Sequence, residues 1–286
     1  MADTLDEQTA IKPAVGYVPI ASRPIDQPTG RLQGCIVLCA FGVTDKGRIR
    51  STNEDCFSIR EDLGLCVLAD GMGGHNAGEV ASRLAVDALV EFYGAGTDDW
   101  PFGHDPELSA DGNRLRTAVH LANVQILEMA ATSEHYAGMG TTVVAARVAD
   151  DGRLTVGHVG DSRLYVLSGR RLRQVTRDDS WAATVLAQDP EFDPLLLQHH
   201  PMRNALTNVV GARTRTEVHV AEQALAGGDM ILLSSDGVHS VLDERRLERL
   251  MIEGDDTKEI ARNVISSALL SGSRDNCTVI VARYQP

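Results

Sequence analysis

Residues 140–175, GTTVVAARVADDGRLTVGHVGDSRLYVLSGRRLRQV, decide the fold. Apolar and polar side chains alternate with a period of two, and Asp150-Asp151-Gly152 and Ser168-Gly169 break the alternation where tight turns belong. The segment therefore predicts consecutive antiparallel hairpins, a meander. Upstream the period changes. Residues 77–93 place Val80, Leu84, Ala88 and Phe92 at intervals of four, and residues 114–131 place Leu115, Val119, Ala122, Ile126 and Met129 on one face, so both predict amphipathic helices. Between them, residues 100–112 carry Pro101, Gly103 and Pro106 and read as a loop. Further strands are expected at 35–41, ending in a turn at Asp45-Lys46-Gly47, and at 65–69, 216–220, 230–234 and 276–284. Helices are expected at 243–252 and 257–270. Helices come in pairs, strands come in groups and no βαβ alternation dominates, which favours an α+β layered architecture over a doubly wound sheet.

The 286 residues are 43% hydrophobic, enough for a sizeable core. A formal charge of -13 and a pI near 5.1 argue against nucleic-acid binding, which rests on patches of Lys and Arg. Five cysteines without regular spacing fit a reducing compartment better than a disulfide framework, and Cys39, Cys66 and Cys277, in apolar runs, are expected in the core. Residues 1–34, with Pro13, Pro19, Pro24 and Pro28, read as a flexible tail ahead of a domain at 35–286. The start has neither a basic stretch nor an apolar one, and the apolar run at 35–43 is far short of the ~20 residues of a membrane span. The expectation is a soluble, cytoplasmic, monomeric protein that binds neither membrane nor nucleic acid.

Four short segments put acidic residues in turn contexts: Arg50 to Asp55, Ala69 to Gly74, Ser234 to Gly237, and Arg274 to Asn276. A lone Asp-Gly is ordinarily just a turn. Three of these four adjoin apolar strand-like runs, so a sheet would bring Asp70, Asp236 and Asp275 to one edge. Carboxylates with a backbone carbonyl and waters suit Mg²⁺ or Mn²⁺, whereas zinc would want His and Cys at ligand spacing, and neither CxxC nor HExxH occurs. Gly71 to Gly74 lacks the Lys-Ser/Thr ending of a nucleotide-binding loop.

The ordered set RxxNED (50–55), ADGMGGHxAGEVAS (69–82), GMGTT (138–142), HVGDSRLY (158–165), SSDGV (234–238) and DNCTVIV (275–281) resembles the metal-dependent protein phosphatase 2C (PPM) family, in its bacterial form, from about residue 40 to 284. The resemblance implies a four-layer α-β-β-α sandwich, two antiparallel sheets flanked by helix pairs. It implies hydrolysis of phosphoserine and phosphothreonine in proteins by direct attack of water at a centre of two Mg²⁺ or Mn²⁺ ions, in opposition to a bacterial kinase. Asp70 would bridge the ions, Gly71 would lend its carbonyl to one, and Asp236 and Asp275 would bind the other. Glu54 would act through a metal-bound water that Asp55 helps to orient, and Asp161 would join Asp236 at a third, weaker ion. Arg50 matches the family's phosphate-binding arginine, and its planar fork suits two phosphate oxygens. Residues 178–211 match the family's flap, in which Arg203-Asn204 reads as a helix cap more than as a metal neighbour.

Met72 stands where animal relatives carry a histidine thought to protonate the leaving group, and a thioether has no proton to give. His75, three residues on, is the remaining candidate acid against a bland reading as cap or surface residue. Thr141 and Thr142 read as strand residues with hydroxyls near the site and carry no assigned role. A cysteine-dependent route fails, because the residues between Cys277 and Arg283 are an apolar strand without glycine. Two other readings remain beside the protein phosphatase: a metal-free binding module, and a phosphatase of small phosphoesters.

Overall fold

Strand β11 (Cys277–Tyr284) shows why this sequence makes a sandwich: seven of its eight residues are buried, Arg283 alone being half-buried, as a strand covered on both faces requires. It lies between β1 (Leu38–Asp45) and β10 (Met230–Ser234), followed outward by β7 (Arg163–Ser168) and β8 (Arg171–Gln174), all antiparallel. The second sheet runs β2 (Asp55–Arg60), β3 (Leu65–Met72), β5 (Val143–Val148), β6 (Arg153–Val159), β9 (His219–Ala224), with short β4 (Gly140–Thr141) on the end of β3. The computed structural model describes residues 38–74, 77–97, 99–189, 191–193, 196–197 and 200–286. The expected tail at 1–34, the start of the first strand and His75 lie outside these residues.

Alternation then fixes the layers. Leu68, Val144, Val156, Leu164, Ile231, Leu233 and Ile280 meet between the sheets. The opposite face of the second sheet, with Val67, Ala69, Val143 and Ala145, is covered by α1 (Ala77–Ala95) and α2 (Ala110–Ala130). The outer face of the first, with Leu232, Val279 and Val281, is covered by α4 (Asp236–His239), α5 (Glu244–Glu253) and α6 (Thr257–Leu270). The result is the expected four-layer α-β-β-α sandwich, with α3 (Trp181–Gln188) in the segment read as the flap. Among the described residues no helix is long and apolar enough to cross a membrane.

The structure corrects several expectations. The meander divides at Gly160 to Ser162: β5 and β6 belong to one sheet, β7 and β8 to the other. Residues 55–60 form a strand where none was expected, because Asp55 and Arg60 bracket a run too short for a pattern. Of the expected row on α1, Ala88 is buried in the core beside Ala81, Ala85, Val86 and Leu89, while Val80, Leu84 and Phe92 sit at its margin. A row taken at intervals of four drifts about 40° per step around a helix of 3.6 residues per turn, so it crosses the buried face instead of following it. Helix α2 starts early because the Ser109 hydroxyl accepts from the Gly112 amide (3.1 Å) and caps it. The strand expected at 216–220 lies at His219–Ala224. Cys39 is exposed, since alternation along edge strand β1 turns it outward, whereas Cys66 and Cys277 are buried.

Leu233 is fully buried between the sheets, three residues before Asp236. Leu233→Ala should lower unfolding stability by about 2–5 kcal/mol, whereas Leu270→Ala, at a side chain 78% exposed, should change it by under about 0.5 kcal/mol. Urea denaturation of the two variants checks the contrast.

Candidate metal centre

Antiparallel pairing does the first piece of assembly. Asp55 and Asp70 face each other in the β2–β3 register, and Gly71 and Met72 continue opposite Thr141 and Gly140. Thr142 holds this strand end: its hydroxyl accepts from the Asp70 amide (3.1 Å), its amide donates to the Asp70 carbonyl (2.9 Å), and its hydroxyl meets that of Ser162 (2.7 Å). The Thr141 hydroxyl donates to the same Asp70 carbonyl (2.9 Å). Gly71 donates its amide to the Glu54 carbonyl (3.1 Å). A side chain on Gly71 would collide with the Gly78 and Glu54 carbonyls, so glycine lets the first turn of α1 close onto the strand.

The other sheet brings the remaining carboxylates. Asp236 opens α4 directly after β10, and Asp275 precedes β11. Their loops touch at Gly237, where any Cβ would strike the Asn276 carbonyl. Asn276 is a joint that sequence reasoning missed. Its Oδ1 accepts from the Glu54 amide (2.9 Å), and its Nδ2 donates to the carbonyls of Lys46 (2.8 Å) and Thr52 (3.0 Å). It thus ties the Arg50–Glu54 loop to β11. The signal was its place directly after Asp275, which conveys nothing about hydrogen bonds made more than two hundred residues away.

Arg50, Glu54, Asp70, Gly71, Asp161, Asp236 and Asp275 all line one cleft of about 230 Å³, together with Met72, Thr142 and Asn204. Asp55 lies behind it, 8% exposed. Its Oδ2 accepts from the hydroxyls of Thr278 (2.6 Å) and Ser235 (2.8 Å), while Oδ1 is buried without a protein partner. Asp161 sits at the crossing between the sheets, after Gly160, whose amide donates to Asp179 Oδ2 (2.9 Å). Asn204 lines the cleft, although of its two readings the sequence favours the cap. Ser180 caps α3, its hydroxyl accepting from the Ala183 amide (3.2 Å), and the carbonyls of Arg203 and Ala205 accept from the amides of Ala182 (3.3 Å) and Trp181 (2.8 Å).

The electrostatics are those of crowded, buried like charges. Burial, reinforced by Asp55, Asp236, Asp161 and Asp275, raises the Asp70 carboxyl well above its ordinary range. Burial pushes Asp55 and Asp161 up to about 7 and Asp236 up to about 6, with neighbouring aspartates adding to each. Glu54 is raised chiefly by burial. Arg50 Nη2 meets Asp275 Oδ2 at 2.6 Å, and this bond raises the guanidinium further above its usual value.

Such a set fits hard divalent cations. The donors are oxygens, the unpartnered Asp55 Oδ1 faces no protein donor, and a cation would relieve the repulsion that lifts these carboxyls. Among the described residues no three Asp, Glu, His or Cys side chains close around one point as a finished cage. A cation of the Mg²⁺ kind keeps several waters and takes one or two carboxylates, so a cleft lined with spaced carboxylates suits it better than a cage would.

Comparison with known proteins agrees with this geometry. The family model described as protein phosphatase 2C matches residues 48–267. The serine/threonine protein phosphatase PstP of Mycobacterium tuberculosis is 38% identical over 248 residues, 86% of this chain but 45% of that protein. A serine/threonine phosphatase, stp, of Listeria monocytogenes is 33% identical over 243 residues, 83% of this chain and 92% of its own length. The crystal structure of the M. tuberculosis phosphatase PstP/Ppp superposes with a TM-score of 0.76 at 33% identity, over 87% of this chain and all of that one. The catalytic domain of PstP in complex with two manganese ions gives 0.73 at 33% identity, over 87% of this chain and 99% of that one. A sandwich with its carboxylates gathered where the two sheets meet, matched over most of its length by these relatives, belongs to the protein phosphatase 2C family.

Proposed function

We propose that the chain hydrolyses phosphoserine and phosphothreonine in proteins, using two divalent cations of the Mg²⁺ or Mn²⁺ kind. The observation that carries the reading is the convergence of Asp70, Gly71, Asp236 and Asp275 from both sheets on one cleft beside Arg50. Similarity to chains named serine/threonine phosphatases supports the substrate class. The domain is residues 35–286, with 178–211 as its flap.

Asp70 would serve both ions, Gly71 would offer its carbonyl to one, and Asp236 and Asp275 would hold the other. Glu54 would act through a bound water, and Asp161 with Asp236 would take a weaker third ion. When bound, the ions supply positive charge that acidifies a water and draws charge off the phosphoryl oxygens. The protein's part is positional. Asp55, fixed by Ser235 and Thr278, keeps one oxygen unpartnered behind the cleft, from which it would orient a water. Arg50, half-exposed at the cleft mouth, exchanges Asp275 for two phosphate oxygens through its fork. Met72 lines the cleft without a proton to give, so this position supplies no acid for the leaving oxygen. Direct attack by water leaves no phosphoenzyme, and the substrates imply a Ser/Thr kinase that supplies them.

The test is release of phosphate from a phosphothreonine peptide with Mn²⁺ and then with excess EDTA. Metal-dependent release is expected, and absence of release from protein shown to bind Mn²⁺ would refute the reading. Asp236→Ala and Asp275→Ala should each abolish turnover while leaving the circular dichroism spectrum unchanged, because removing a carboxylate relieves repulsion in the metal-free protein. Mn²⁺-dependent activity surviving in either variant would remove that residue from the centre. Arg50→Ala should act mainly on substrate binding, by about 1.5–3 kcal/mol for a lost charge-assisted contact. A KM unchanged from wild type would count against the clamp.

A further inference from the structure

A second cleft, of about 520 Å³, opens beside the first, and its lining includes Thr207, Asn208, Arg213 and Arg215. One strip of chain is the wall between the two. Asn204 and Leu206 line the carboxylate cleft, while Thr207 and Asn208 line the second. The strip is firmly held: the Thr207 amide donates to the Asp179 carbonyl (2.8 Å), and Asn208 Nδ2 donates to Asp179 Oδ2 (2.8 Å) and to the Glu217 carbonyl (2.8 Å).

The loop that carries the arginines is equally fixed. Buried Asn123, on α2, accepts from the Gly211 amide (2.7 Å) and donates to the Arg213 carbonyl (2.9 Å), and the Thr216 hydroxyl donates to Asn208 Oδ1 (2.9 Å). Arg213 and Arg215 project from this loop, exposed and without an ion pair among the described residues. Other cations stand near. Arg177 reaches the Ala183 carbonyl (3.4 Å), next to Thr184 on the cleft lining, and also bears on His219. Arg116, on α2, shares with Arg215 an influence on His120, which burial first and these two arginines next hold below its usual range.

Two carboxylates also line the cleft, and one is already satisfied. Asp179 accepts from His219 Nε2 (2.8 Å), Asn208 and the Gly160 amide. Glu217 remains at the rim. In a chain of formal charge -13, two arginines on a pinned loop that line a cleft and make no ion pair among the described residues are available to an anion from outside.

Resting on the phosphatase reading, we propose that this cleft receives an acidic stretch of the phosphoprotein substrate, and so selects phosphosites flanked by Asp, Glu or a second phosphate. One strip separates the clefts, and an extended peptide advances ~3.3 Å per residue, so a few residues carry it from one to the other. Bound this way, the flanking anions lower KM and leave the hydrolytic step to the first cleft.

The experiment compares phosphothreonine peptides of equal length with neutral, Glu-rich or second-phosphate flanks, in wild type, Arg213→Ala/Arg215→Ala and Arg213→Lys/Arg215→Lys, with Mn²⁺ at low and moderate salt. The wild type should favour both acidic peptides by about three- to tenfold in kcat/KM, through KM, with the preference shrinking as salt rises. The alanine pair should bring the acidic-to-neutral ratio close to one, and the lysine pair should keep most of it. A preference for only the doubly phosphorylated peptide would restrict the cleft to phosphate. Equal use of acidic and neutral peptides by the wild type, or a preference surviving the alanine pair, overturns the proposal. Failure to hydrolyse any peptide or a small aryl phosphate overturns the phosphatase reading together with it.

Discussion

Repulsion among buried carboxylates is the constraint on which the rest of this structure depends. Asp55, Asp70, Asp161 and Asp236 are brought to one end of the sandwich with their ionised forms disfavoured by burial and by one another. At effective dielectric constants near 20, two charges 4 Å apart repel by about 4 kcal/mol, a large fraction of a domain's net stability. A sequence that folds into this arrangement must recover that cost elsewhere. The two-sided core recovers it by burying strands such as β11 almost completely. The repulsion itself then becomes the source of affinity for a cation.

Neutral groups hold the charges in place. Thr141, Thr142, Ser235, Thr278 and Asn276 fix the backbone or one carboxylate oxygen of the acidic residues around them. Neutral donors suit this work because a second set of charges in the same volume would compete with a cation for the carboxylates. The resulting network spans both sheets, so the spacing of the acids is set by the packing between the layers and not by the turns that carry them. Leu233 and Ile280, in the inter-sheet core, therefore bear on the cleft without touching it.

The sequence made the outline legible where chemistry and periodicity coincide. Alternation in 140–175 disclosed antiparallel hairpins, and the ordered set of acidic motifs, not any one Asp-Gly, disclosed the acids of the cleft. It did not disclose that the hairpins part company at Gly160, because period two says which way a side chain points but not which sheet its strand joins. The strand Asp55–Arg60 was too short and too polar at its ends to register, although it sets Asp55 opposite Asp70. The hydrogen bonds of Asn276 and Thr142 were illegible for a different reason. They reach segments distant in sequence, and no local pattern announces a partner. The inward face of α1 was misplaced because Ala81 and Ala85 are small: large residues draw the eye in a helix, while close packing against a sheet favours small ones.

Arg50 joins the two roles of the first cleft. Its guanidinium lies on Asp275, yet the pair is largely exposed, with 53% of the arginine side chain and 34% of the aspartate open to solvent. Exposed pairs are worth at most about 1 kcal/mol, so exchanging this one costs little. Asp275 Oδ1 is held by the Asn276 amide (2.9 Å), so only Oδ2 is committed to Arg50, and that exposed contact can open without disturbing the core. The rigid acids set where charge gathers, and the loosely paired residues at the mouth adjust to what arrives. A buried Arg50–Asp275 pair would have made each partner's release costly and uncoupled the cleft from its ligands.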